Sequence, residues 1–137
     1  MASATCEIEA PRSRVWALLT DAPNYPRWNS TVTSLKGRIA AGETLHLRVP
    51  DTAREFTPRV SVFSPEHRMV WRGGFWPMLE GVRMFEIEAL GAERSRFTLS
   101  ETFRGLMLPL IARQLPDFAP IFERFAADLK RAAEDAK

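Results

Sequence analysis

Few residues of this sequence stand where they could do chemistry, and the pair that stands out is Arg83 with Glu101. Arg83 alternates with Phe85 and Ile87 in GVRMFEIE, and Glu101 alternates with Leu99 and Phe97 in RFTLSETF. Both charges therefore fall on the apolar parity of strand-like segments. If residues 81–90 and 94–103 form a hairpin around Gly91–Glu93, Ile87 stands opposite Phe97, Phe85 opposite Leu99 and Arg83 opposite Glu101. A charge on an inward face needs a partner, and this register supplies one. The pair reads in two ways. It is a buried ion pair that satisfies itself, or it anchors a ligand head group within an apolar pocket.

The remaining catalytic inventory is thin, and no catalytic residue is assigned. His46 and His67 lie far apart, at an outward strand position and a strand start, with no Ser–His–Asp set around them. No Cys or carboxylate stands at metal-ligand spacing from either histidine, so no metal site is expected. The single cysteine, Cys6, precludes an internal disulfide and reads as a small strand residue facing inward. Tyr25, the only tyrosine, is a packing residue first and a proton donor second. There is no phosphate-cradling glycine loop; Gly73-Gly74 reads as a bulge or bend. No cofactor is implied.

Charge and composition narrow the class further. Lys and Arg number 19 against 17 Asp and Glu, and the basic residues are scattered, which speaks against a nucleic-acid partner. Apolar residues make up 45% of 137, enough for the core of one ordinary domain spanning 1–137. No segment reaches the roughly 20 apolar residues that a membrane-spanning helix needs. The acidic N-terminus is unlike a secretory signal, so a cytoplasmic location is expected.

The elements that must position Arg83 and Glu101 follow from periodicity. ATCEIE alternates as a strand, and Pro11 suits the first position of a helix carrying Val15, Trp16, Leu18 and Leu19. Asp21 can cap a second short helix, with Pro23 in its first turn and an end or kink at Tyr25, before Pro26. From residue 31 the period becomes two. Val32–Ile39, Leu45–Val49, Phe56–Val62, Met69–Arg72, Arg83–Glu88 and Arg96–Phe103 alternate as strands of an antiparallel sheet with one buried face. Pro58 suggests an edge or a bulge there. Finally Phe118, Ile121, Phe122, Phe125 and Leu129 share one face of a long amphipathic helix. A sheet of that length tends to curl, and the long helix can cover its concave face.

Three apolar stretches between these elements need a place. LLTDAPNYPRWNST would form the corner where the short helices meet the mouth of the sheet, with Trp28 plugging or lining it. FWPMLEG is too apolar for an ordinary exposed loop, and reads as a loop folded onto the core or as a lid. GLMLPLIARQLP reads as a gate, with a dimerising or membrane-touching surface ranked behind it.

In this order the chain resembles the START/polyketide-cyclase superfamily (SRPBCC), with its helix-grip fold. The resemblance rests on IEAPRSRVWALLTDAPNYPRWN, LKGRIAAGETLHLRV, MVWRG and LSETFRG. It implies an α+β fold: about seven curved antiparallel strands wrapped around a long C-terminal helix, with two short helices after the first strand. It also implies a deep, largely apolar cavity between sheet and helix. On this sequence the cavity set comprises Trp28, Trp71, Phe75, Met78, Arg83, Phe85, Leu99, Glu101, Met107, Phe118, Phe122 and Phe125. Family members bind lipids, polyketides, hormones or quinones, some act on partner proteins, and a minority are enzymes. Where many bacterial relatives carry a histidine in the segment GVRMFEIE, this chain has Arg83, which cannot titrate in its stead. The leading expectation is binding of a hydrophobic or amphipathic small molecule, with no stable membrane insertion, by a monomer or homodimer. A cyclase or dehydratase that restrains a reactive chain and a protein-interaction domain are the alternatives.

Overall fold

The computed structural model describes residues 2–50, 52–75, 77–115 and 117–135; the side chains of Phe75 and Gln114 lie outside that description. Among the described residues there are two antiparallel sheets. The larger has five strands in the order β1(Ala2–Ile8), β8(Arg94–Arg104), β7(Leu79–Gly91), β6(Arg68–Phe75), β5(Arg59–Ser64). The smaller has three, β2(Ser34–Lys36), β3(His46–Arg48) and β4(Glu55–Phe56). The expected curl of about seven strands is thus eight strands split in two. The sheets meet through a Thr44–Arg59 bridge and main-chain bonds from Leu45 N to Pro58 O and from Val60 N to Glu43 O.

The split has local causes. The expected strand Val32–Ile39 is cut to Ser34–Lys36, because Gly37 turns the chain at φ +113. Pro58 is buried between β4 and β5, where its carbonyl accepts the Leu45 amide. The bulge falls just beyond it, between Val60 and Val62. The pair Gly73-Gly74 makes no bulge. It runs in register with Gly81 and Glu80, and Gly74 holds φ +112 where a Cβ would collide with the Leu79 carbonyl.

Helix α1(Arg12–Leu19) starts one residue later than expected. Pro11 is its N-cap, in extended conformation, and its carbonyl accepts the amides of Arg14 and Val15. A 3₁₀ turn over Ala22–Asn24 runs into α2(Tyr25–Trp28), so the expected kink at Tyr25 is a change of helix type. Asp21 is the N-cap residue of that turn, but its carboxylate accepts from the Asn24 side chain at 2.6 Å, not from main chain. After β8 come the short α3(Leu108–Ile111), a 3₁₀ turn over Ala112–Gln114, and the long α4(Ala119–Asp135).

α4 lies against β1 and β8 and presents Phe122, Phe125, Ala126, Leu129 and Ala133 inward. They meet Phe85, Phe97, Leu99, Met69 and Trp71 from the large sheet in one core. Burying a large apolar side chain contributes about 1.5–3 kcal/mol, so the union of helix and sheet dominates stability. α1 adds Val15, Trp16 and Leu19 to the same core, and α2 adds Tyr25.

Candidate functional site

The hairpin β7–β8 has the register expected from alternation: Ile87 opposite Phe97, Phe85 opposite Leu99, Arg83 opposite Glu101. Carried across the sheet, this register arranges the inner face in rows. One runs Val60, Trp71, Arg83, Glu101, Ala2, and the next runs Phe63, Met69, Phe85, Leu99, Ala4. The second row is apolar. The first holds an ion pair: Arg83 Nε lies 3.3 Å from Glu101 Oε1, with side chains 20% and 12% exposed. The Arg83 guanidinium also sits 5.0 Å from the ring centre of Phe122 on α4, a cation–π placement. The pair therefore faces the helix, inside the fold.

Around this row lies an aromatic cluster centred on Phe125. Its ring lies within 6.3 Å of those of Tyr25, Trp28, Phe85 and Phe97. Trp71 packs on Phe85 at 4.7 Å. Of the six residues expected to share one interior, Trp71, Phe85, Leu99, Phe122 and Phe125 are buried, and Trp28 is half-buried against the same core. The corner formed by LLTDAPNYPRWNST is thus held by its own aromatics: Tyr25 and Trp28 pack on each other and on Phe125.

The other site candidates lie elsewhere. Phe118 is half-buried, stacked between Phe103 at 5.6 Å and Phe122 at 6.2 Å. Met78 and Met107 are exposed at the end of the β7–β8 hairpin, where the Met107 amide donates to the Met78 carbonyl. Leu106 and Leu110 are exposed beside them. The side chain of Phe75 and the whole of Trp76 lie outside the described residues.

The titratable groups divide sharply. Burial raises the Tyr25 hydroxyl well above the ordinary tyrosine range, a shift the positive charge of Arg83 partly opposes. That hydroxyl donates to the Leu19 carbonyl at 2.5 Å, so it is a structural donor and not a poised acid. Burial also raises the Cys6 thiol, which lies 3.7 Å from the Ala126 carbonyl. His46 and His67 are exposed on the surface. Among the described residues, no group of three or more His, Cys, Asp or Glu could hold a metal ion, and no helix is long and apolar enough to cross a membrane.

Sequence reasoning missed two features of this interior. The first is the pairing of Gly73 with Gly81, directly beside the Trp71–Arg83–Glu101 row. Both glycines share the inward parity of Trp71 and Arg83, so alternation alone could have placed them. The second is a set of donors. Among the described residues, Trp28 Nε1, Asn29 Nδ2 and Trp71 Nε1 are buried without a hydrogen-bond partner. Nothing in the sequence distinguishes these from satisfied donors.

Comparison with known proteins agrees with this architecture. The family model described as "Polyketide cyclase / dehydrase and lipid transport" matches residues 2–134. A search of the curated proteins found no match. Among solved structures, a hypothetical protein of Helicobacter pylori superposes with a TM-score of 0.78 at 15% identity, covering 96% of this chain and 86% of that one. A START superfamily protein from Mycobacterium smegmatis gives 0.70 at 18% identity, covering 99% and 98%. Norcoclaurine synthase from Thalictrum flavum, in complex with dopamine and hydroxybenzaldehyde, gives 0.72 at 11% identity, covering 98% and 86%. Identities this low bear on the fold alone, and the fold they share is the helix grip.

Proposed function

Because the chain belongs to the polyketide cyclase/dehydrase and lipid transport family, we propose that it binds a hydrophobic or amphipathic small molecule between the large sheet and α4. The observation that carries this reading is the row Trp71–Arg83–Glu101 on the inner face of the large sheet, an ion pair set beside the apolar row through Phe85 and Leu99. An ion pair turned inward is an expensive way to stabilise a fold, since apolar residues of similar volume often do as well. It is a sensible way to orient one polar group of a ligand whose remainder is held by apolar burial. Acid–base catalysis is less well supported, because the Tyr25 hydroxyl is committed to Leu19 and both histidines are on the surface.

The test is native mass spectrometry of the purified protein, followed by titration of the stripped protein with a fluorescent hydrophobic probe. A co-purified small molecule, or saturable binding of about one probe per chain that weakens in Arg83→Met, is the expected result. A protein that carries no small molecule and binds no probe overturns the reading.

A further inference from the structure

We infer that the end of the β7–β8 hairpin away from its turn docks on an anionic lipid surface, through an apolar patch formed by Met78, Leu106, Met107 and Leu110. None of these side chains belongs to the Arg83–Glu101 row, so docking stands or falls apart from the binding role proposed above.

Among the described residues five large apolar side chains are exposed, and four of them stand here: Met78 at 43%, Leu106 at 70%, Met107 at 41% and Leu110 at 75%. Helix α3, which carries Leu110, buries none of its residues. Exposed apolar side chains are ordinary when scattered; gathered in one place, they mark a surface that meets something.

The patch is held in shape by main chain. The amides of Leu106 and Met107 donate to the carbonyls of Pro77 and Met78, both at 2.9 Å, which joins the β6–β7 connection to the segment after β8. Gly105, at φ +136, permits this approach, because a Cβ there would run into the Met78 carbonyl. The amides of Leu108 and Leu110 donate to the carbonyls of Gly105 and Met107, and Pro109 has no N–H to satisfy. Over residues 106–110 every backbone N–H is therefore bonded within the protein. This stretch can leave water without stranding a donor.

Charge selects what covers the patch. Residues 73–79 and 105–112 carry no charged side chain, and Arg113 follows them, exposed. Arg72 and Arg104 flank the patch at the strand ends. Both pair with Glu80, whose side chain is 14% exposed against 37% and 51% for the two arginines. Asp117, the next carboxylate along the chain, accepts the Ala119 amide at 3.0 Å. The more exposed charges beside the patch are thus positive. A two-fold contact with a second copy would set these arginines against their own counterparts. Four apolar side chains are also few against the roughly 20–30 residues a side of a stable protein interface. An anionic bilayer needs no matching shape. It takes up protruding apolar side chains at the headgroup boundary and attracts the basic residues around them.

The experiment is co-sedimentation of the full chain with vesicles of phosphatidylcholine, alone or with about 30 mol% phosphatidylserine. Binding to the anionic vesicles is expected, at least about fivefold stronger than to phosphatidylcholine alone and weakened by salt. Leu110→Glu removes an inserting side chain and adds a negative charge, and should weaken binding at least about tenfold. Arg113→Glu should weaken it about threefold to tenfold. Phe56→Ser, at the fifth exposed apolar residue and on the small sheet, should leave it unchanged. Thermal melts confirm that the variants fold. No binding to either vesicle, equal binding to both, or binding that survives Leu110→Glu overturns the inference. A dimer in sedimentation velocity that Leu110→Glu dissociates overturns it too, because a second copy would then cover the patch.

Discussion

The Tyr25 hydroxyl donates to the main-chain oxygen of Leu19 at 2.5 Å, tying α2 to the last turn of α1. Leu19 and Tyr25 are both fully buried. Removing the hydroxyl leaves a buried carbonyl without this donor, so Tyr25→Phe should cost about 1–3 kcal/mol in denaturant unfolding. The same burial gives a pH signature. The folded protein holds the phenol neutral far above the point where an unfolded tyrosine ionises, near pH 10. The stability from this group is therefore complete below about pH 10 and is lost as pH rises above it, by up to about 1.4 kcal/mol per unit. Tyr25→Phe should decline less steeply over that range. Some decline should persist, because the raised Cys6 thiol acts with the same sign from its ordinary value of 9.0 upward.

Phe125 is the hub of the aromatic cluster, buried at 2% exposure with four rings around it. Phe125→Ala should cost about 3–5 kcal/mol, the range for a large aromatic removed from a packed core. Chemical denaturation gives the value. A loss under about 1 kcal/mol would mean that the ring is not packed in solution.

Arg83 and Glu101 lie between the limits of buried and exposed pairs. Exposed pairs contribute under about 1 kcal/mol and breaking a buried one costs about 3–5. At 20% and 12% exposure, Glu101→Gln and Arg83→Met should each cost about 1–3 kcal/mol. The double variant should recover part of that loss, since no lone charge remains. Additive losses in the double-mutant cycle would show that the two side chains do not act on each other.

The Arg83–Glu101 contact was legible because strand alternation, a short turn and charge complementarity all specified one register. α4 was legible for a similar reason: five apolar residues fall on one helical face. What could not be read was where the sheet divides. That depends on Gly37 and on Pro58, whose sequence context resembles that of any turn or edge. Cys6 and Tyr25 followed from pattern alone as packing residues, whereas Trp28, expected to plug or line the mouth of the sheet, packs on Tyr25 and Phe125. The Gly73–Gly81 pairing needed the β6–β7 register, which no charge pair announced. Asp128 was illegible for another reason: its meaning comes entirely from a loop distant in sequence.

Asp128 is buried on α4 at 6% exposure, among apolar neighbours. Its Oδ2 accepts both the amide and the hydroxyl of Ser30, at 2.8 and 2.7 Å, and its Oδ1 accepts from Arg131 at 2.9 Å. The carboxylate thus pins the loop after Trp28 to the middle of the long helix, and with it the aromatic corner that packs on Phe125. Hydrogen bonds to a charged group contribute about 1.5–3 kcal/mol. Asp128→Asn keeps the shape but exchanges one acceptor oxygen for a donor that both Ser30 groups and Arg131 cannot use equally. It should cost about 1–3 kcal/mol, and Ser30→Ala, which removes the hydroxyl bond alone, should cost less. The fluorescence of Trp28 provides a local readout: in a Trp28-only background, Asp128→Asn should shift its emission to the red as the corner loosens. Unchanged emission together with unchanged stability would show that the loop is held by its aromatic packing and not by this carboxylate.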